Sequence, residues 1–594
     1  MKTERSTLRS LLIAIVITVL LGACGGGEKV SWKTSGTGGG GGGSGGGSTS
    51  APAQPTKPDD AGAVRFLAQS SFGATTADIA ELKDIGLEAW IDQQFGMSRS
   101  ATGTHLDYVL SQFPLPIPDG TTVTMDPAYH TFWRQVMLAP DQLRQRVAFA
   151  LSQITVVSAA DANLQASPHT IASFLDLLAD NAFGNYRDIL QAVSTHPAMG
   201  QYLTSLANRG DNGRTPDENY AREVMQLFSI GLFELNMDGT QKIVNGAPVE
   251  TYGMDDIRGL AKVFTGWSWG NQGTADPTNG RFAGNPADPM RRVIPMQFYR
   301  QYHSPDTKVF LTANIAAGTD GVRAFNTALD TLFNHPNVAP FIGRELIQRL
   351  VTSNPSPQYV ERVANAFASG RFTSANGYYT VGTGQRGDMK ATVAAVLLDS
   401  EARSASNATQ DDWGKLREPV LRIAALMRAF EATSQSPGQQ FRIGNIDNQM
   451  FQTPMRSPTV FNFYRPGYVP PNTTIATKSL VAPEFQIANE VSVATYANTL
   501  QNWIPNGFGS TATGQSGPDI RIAATQARAI ATDAAKLVDH VNLMLTANTM
   551  STTTRDAIRT VVESVSATAN NAAANRVNLA LFMTMTSPDF LVQK

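Results

Sequence analysis

A mainly α-helical body with a few short β-hairpins is the fold class this sequence predicts. Three observations predict it. Apolar residues recur at helical spacing through most of the chain after residue 60, strand-like alternation is brief wherever it occurs, and no long-period repeat is present. The 594 residues suit two to four domains' worth of chain with ample core.

Taken in order, the first expected helix is Ala61–Phe72, where Val64, Leu67 and Ala68 share a face and Phe66 and Phe72 lie beside them. Thr75 or Thr76 caps a second helix carrying Ile79, Leu82, Ile85 and Leu87. Leu143, Val147, Ala150, Leu151 and Ile154 mark a third over Asp141–Val157. The same spacing predicts helices over Ile171–Leu178, Tyr186–Val193, Val322–Phe333, Pro340–Leu350, Gln358–Phe367, Lys390–Leu398 and Pro419–Phe430. The last hundred residues, rich in Ala, Val and Leu, read as three more helices. Two long segments lack a pattern, about Gly270–Pro305 and Ser434–Pro483. Such segments serve as lids or binding surfaces, or are plain surface insertions.

Composition excludes several functions. The net charge is -2, so there is no basic excess to grip nucleic acid. One cysteine, Cys24, rules out intrachain disulfides, cysteine-type zinc sites and thiolate-bound iron–sulfur clusters. Charged residues are 16% of the chain, against about a quarter in ordinary globular proteins.

The N-terminus reads as an address. Lys2, Arg5 and Arg9 precede an apolar run, Leu11–Leu21, that is shorter than the roughly 20 residues of a spanning helix. It ends Leu21-Gly22-Ala23-Cys24, which resembles the lipobox of bacterial lipoproteins. That resemblance implies cleavage of residues 1–23, acylation of Cys24 and attachment to a lipid bilayer in the cell envelope, with Gly25 favouring the outer membrane. Residues 24–60 form the expected tether. Of the 50 glycines in the chain, 13 lie between Gly25 and Gly47, and Pro52, Pro55 and Pro58 follow. Such a segment cannot bury apolar surface, and a coil of this length reaches roughly 30–35 Å. Residues 61–594 are the helical body, of one or two subdomains.

Several motifs can carry chemistry. In Thr215–Glu223, Thr215 and Glu218 form a capping box with Pro216 at the first helical position, while Glu218 can pair with Arg222. Asn219 and Glu223 share a face and can bind a cation or act as an acid/base pair; the plainer role is capping with buried hydrogen bonds. Glu234, Asn236 and Asp238 echo a calcium loop, but Asn245 stands where a bidentate Glu is needed, and Asp238-Gly239 is equally a hairpin turn. Asp255 and Asp256 are carboxylate ligands or, more simply, helix caps. Gly266–Gly270 fits a nucleophile-elbow pattern in the wrong context, and Gly382–Gly387 fits a dinucleotide pattern without a βαβ unit. The seven histidines show no zinc spacing; His303, near Asp306 and Lys308, has the most polar setting. Phe461, Phe463, Tyr464 and Tyr468 crowd beside Arg465, either to stack a sugar or peptide or to plug the long loop onto the helices.

These blocks together carry a family resemblance. Arg65–Gly73, Asp217–Gly231, Leu235–Thr240, Asp255–Trp267, Asn334–Pro357, Arg386–Arg403, Lys415–Pro419 and Ser457–Tyr468, in this order, resemble the bacterial domain-of-unknown-function family 1800. The family is exported and carries no assigned activity; an exported sulfatase-like protein is the partner it implies.

Two functions follow as expectations. The first is an envelope lipoprotein that acts as a binding or assembly partner at the cell surface. The second is a hydrolase or lyase of an envelope or extracellular polymer, gathering Glu218, Asn219, Glu223, Asp255, Asp256 and His303 in one pocket, with a divalent cation as an optional aid.

Overall fold

In the computed structural model, which describes residues 54–99, 102–270, 282, 289–512 and 514–594, helices carry the fold. Among the described residues there are twenty-five α-helices and six antiparallel sheets, each of only two short strands. Residues 1–53, with the signal segment, Cys24 and most of the tether, lie outside the described residues, as do 271–281 and 283–288 of the first long loop. Residues Gln54–Lys594 pack as one compact unit. No helix among the described residues is long and apolar enough to cross a membrane.

Most expected helices form with small shifts at their ends; the second stops at Ile85, and Gly86, at a φ of 87°, sets Leu87 at the head of a separate helix, Leu87–Gly96. Asp60–Ser70 begins at the Asp59 cap, and Thr75 closes a capping box with Asp78 at the head of Thr76–Ile85. The helix expected over Asp141–Val157 stops at Ser152, and Val156 and Val157 are buried in an irregular run instead. Met389–Leu398 is buried all round apart from Lys390, as a helix at the centre of a large body must be. Asp388 caps it, its Oδ1 accepting from Ala391 N at 2.9 Å. Helices Val338–Leu350 and Pro357–Ser369 pack against it.

The C-terminal region departs from expectation. Besides Glu490–Asn506 it contains Thr525–Ile530, Ala534–Thr546, Thr552–Ser564, Ala572–Thr586 and Pro588–Leu591, more than three helices. The first break, between Asn506 and Thr525, holds strand Ile520–Ile522, and the later ones are short. Ala547 takes a left-handed φ of 53°, and Asp533 and Ser551 cap the helices after their breaks. The continuous apolar composition hides them. Arg417 binds this region to the rest, its Nη1 donating to Leu545 O and Phe590 O, both at 2.9 Å.

Candidate functional site

The sequence candidates fall into several local arrangements, and Glu218 and Asp255 share one, both pairing with Arg258. The helix expected from Pro216 begins at Asn219. Thr215 and Glu218 form no capping box; Asp217 accepts from Asn219 N at 2.8 Å and turns the chain into the helix. Glu218 does pair with Arg222, at 3.5 Å, and meets Arg258 at 3.9 Å. Asn219 stays exposed, with Nδ2 3.5 Å from Thr204 Oγ1. Glu223 is only 7% exposed; burial raises its pKa, and its Oε2 has no hydrogen-bond partner. Burial also pushes the Tyr252 hydroxyl up to about 12, with Glu223 adding to the push.

Asp256 works as a brace. It accepts from Gly253 N at 2.8 Å, which caps helix Met254–Val263, and from Leu311 N at 2.6 Å, which holds the neighbouring hairpin. Asp255 is exposed and meets Arg258 at 3.3 Å. His303 is buried. Its Nδ1 lies 2.9 Å from Thr265 O, which makes Nδ1 the protonated nitrogen and leaves Nε2 without a partner. Burial lowers its pKa. Among the described residues no hydrogen bond joins any two of Glu223, Asp256 and His303.

Glu234, Asn236 and Asp238 belong to a hairpin arm. Glu234 pairs with Lys242 at 3.0 Å, Asn236 Nδ2 donates to Thr240 Oγ1 at 3.0 Å, and Asp238 accepts from Thr240 N at 2.9 Å. Leu235 bridges to Gln241, so the Asp-Gly pair makes the turn. Among the described residues no group of three or more His, Cys, Asp or Glu side chains is placed to hold a metal ion. Ser268 of the elbow-like pattern lies in strand Trp267–Ser268 and is fully buried, donating to Phe282 O.

The aromatic segment leads to a more connected site. Tyr464 is buried, and its hydroxyl donates to Glu418 Oε2 at 2.9 Å. Glu418 is fully buried just ahead of helix Pro419–Ala429, and the same oxygen accepts from Gln153 Nε2 at 2.6 Å and Gln452 Nε2 at 2.5 Å. Burial first, and Glu418 second, hold the Tyr464 hydroxyl well above its usual pKa, so it stays a donor. Around this hub lie two further buried pairs, Arg349–Glu345 and Lys415–Glu484, each at 3.0 Å. Arg146 completes the set, with Nη2 on Arg349 O at 2.7 Å. Burial raises the Glu345 pKa and lowers that of Lys415. For Arg349 burial opposes the charge, yet Glu345, Tyr464, Glu484 and Glu418 together hold its pKa above the ordinary value. Three cations and three carboxyl groups thus share one core.

Part of this set lines a cavity. A cavity of about 220 Å³ has Gln153, Gln226, Glu345 and Arg349 on its polar side. Phe341, Val460 and Phe461 supply an apolar wall, and Leu232, 48% exposed, stands at its edge. The Arg465 guanidinium lies 5.0 Å over the Phe461 ring and keeps it in place. Phe463 lines a smaller cavity together with Gln153, and Tyr468 closes the segment, its carbonyl accepting from Ala482 N at 2.8 Å. The volume falls below the roughly 300 Å³ of the smallest drug-sized pockets, so it takes one side chain or one ring with a polar end.

Of these residues only Phe461, Phe463, Tyr464, Arg465 and Tyr468 were visible as sequence candidates. Gln153, Glu345, Arg349, Glu418 and Gln452 were not. Their one signal is a polar or charged residue at a core position of an apolar helix, as with Arg146 between Leu143 and Val147, and the Glu345–Arg349 spacing of four.

A large, mainly α-helical protein with a buried acid–base core beneath an aromatic loop is the class these features define. The chain belongs to the family described as protein of unknown function (DUF1800), which matches residues 65–592. No curated protein and no solved structure matches it.

Proposed function

We propose that the protein is a cell-envelope lipoprotein, anchored in the lipid bilayer through acylated Cys24, whose body binds another envelope protein at the cavity beneath the aromatic segment. The observation that carries this reading is the cavity itself, apolar at Phe461, Phe341 and Leu232 and polar at Arg349, Glu345 and Gln153. Leu232 leads into a hairpin arm on which Ile243 and Val244 are also exposed, 56% and 58%. Exposed apolar groups around a pocket mark association surfaces. A partner side chain with an apolar body and a hydrogen-bonding tip matches this lining. An exported sulfatase-like protein is the first partner to look for.

Cross-linking in intact envelopes followed by mass spectrometry tests the reading. One partner is expected in stable amount from the wild type and little from Phe461→Ala, with Cys24→Ser releasing the chain from membranes. Equal recovery with Phe461→Ala would remove the cavity from the account. The hydrolase or lyase reading rests on Glu223, a buried carboxyl group with an unpartnered oxygen and a raised pKa. Polymer cleavage by the wild type that Glu223→Gln abolishes would favour it.

A further inference from the structure

A second cavity, of about 200 Å³, lies among helices Asp60–Ser70, Thr76–Ile85 and Leu87–Gly96 and shares no lining residue with the first. Leu67, Trp90, Met97 and Pro140 give it apolar walls. Its nitrogens and oxygens differ in how far they are satisfied: the nitrogens, Trp90 apart, are engaged, and three oxygens are not.

Each of these nitrogens but one already makes at least one hydrogen bond, while Arg428 Nη1 and Nη2 and the glutamine amides each carry a second N–H. Arg428 spends Nε on Gly73 O at 2.8 Å, Nη1 on Val136 O at 2.9 Å and Nη2 on Asp78 Oδ2 at 2.9 Å. Gln142 Nε2 donates to Ala139 O at 2.7 Å, Gln94 Nε2 to Pro140 O at 3.1 Å and Gln93 Nε2 to Glu81 Oε1 at 2.9 Å. The Trp90 indole N–H is the exception. Acceptors are left over. Gln142 is only 5% exposed, yet its Oε1 has no partner. Asp78 Oδ1 and Glu81 Oε2 accept no bond among the described residues, since the bonds to these side chains fall on Oδ2 and Oε1. Arg428 offsets the charge of Asp78, and Glu81 has no ion-pair partner among the described residues.

We propose that this cavity binds a primary ammonium group on a short apolar stem. An ammonium offers three donors and no acceptor, which matches Gln142 Oε1, Asp78 Oδ1 and Glu81 Oε2. Its single charge answers Glu81, the stem lies along Leu67 and Met97, and Trp90 adds a ring face for the cation. The group can come from a free diamine or from a lysine side chain of a peptide. The site is independent of the partner-binding cavity.

Calorimetric titration of the full chain at low salt tests this, with cadaverine, Nα-acetyl-lysine methylamide and the neutral Nα-acetyl-norleucine methylamide as probes. Saturable binding of an ammonium probe and none of the norleucine amide is expected. Tighter binding of cadaverine assigns the site to free amines, and tighter binding of the lysine amide to peptides. Glu81→Gln, which keeps the shape of the side chain, should weaken binding about tenfold or more, because it removes a charged hydrogen-bond acceptor. Gln142→Leu should weaken it as well. No saturable binding of either ammonium probe to the folded chain, equal binding of the norleucine amide, or affinities unchanged in both variants would overturn the proposal.

Discussion

The Tyr464 hydroxyl donates to Glu418 Oε2 across 2.9 Å, and this one bond fastens the aromatic segment to the head of helix Pro419–Ala429. Because both groups are buried, the bond acts where water cannot replace it. Tyr464→Phe keeps the ring and removes the donor. Glu418 Oε2 then retains Gln153 and Gln452, so a loss of about 1–2 kcal/mol is expected in denaturant unfolding. An unchanged midpoint would show that the bond holds nothing.

The Lys415–Glu484 pair should behave differently when broken from one side than from both. Lys415 Nζ also donates to Gln348 O at 2.9 Å and Arg349 O at 3.0 Å, so it ties helix Val338–Leu350 to Glu484. Lys415→Met leaves a buried carboxyl group unpaired and should cost about 3–5 kcal/mol. Adding Glu484→Leu should recover much of that loss, as measured by urea unfolding of the single and double variants.

Gly259 sets the distance between helix Met254–Val263 and strand Lys308–Phe310. A Cβ at this position would lie 1.7 Å from Val309 O, backbone that cannot swing aside. Gly259→Ala should therefore lower stability by about 1–3 kcal/mol or more despite its better helix propensity. Thermal melting beside Gly96→Ala, within helix Leu87–Gly96 where an added Cβ meets nothing within 4 Å, separates packing from propensity.

Acid should unfold the protein early. Burial lowers the pKa of His105 to about 4, of His130 to about 4 and of His196 to about 3, from an ordinary 6.5. Between these values the unfolded chain takes up protons that the folded chain refuses. Stability is then fully present above about pH 6.5 and is lost as pH falls toward 4, at about 1.4 kcal/mol per pH unit for each such histidine. Urea midpoints from pH 7 to 4.5 should fall steadily; His196→Gln should flatten part of the slope.

The helices were legible because their apolar faces repeat locally, as at Val64, Leu67 and Ala68. The stops were less so, since Ala547 ends a helix by its backbone conformation and not by a residue type that signals one. The aromatic half of the candidate site showed as a cluster in sequence, Phe461 to Tyr468. Its polar half did not, because Gln153, Glu345 and Glu418 meet only after three distant segments pack. Buried arginines such as Arg146 and Arg417 donate to backbone carbonyls of distant segments.

The proposed docking of a partner protein at the cavity edged by Leu232 and Phe461 has a direct test. A photo-cross-linking residue at position 232, activated in intact cells, tests it most directly, with the same residue at exposed Val491 as the control site. One dominant adduct is expected from position 232, none of that mass from 491, and its loss with Phe461→Ala, since a central aromatic contact is worth about 2 kcal/mol or more. The same adduct from both positions, or an adduct that survives Phe461→Ala in a folded chain, would contradict it.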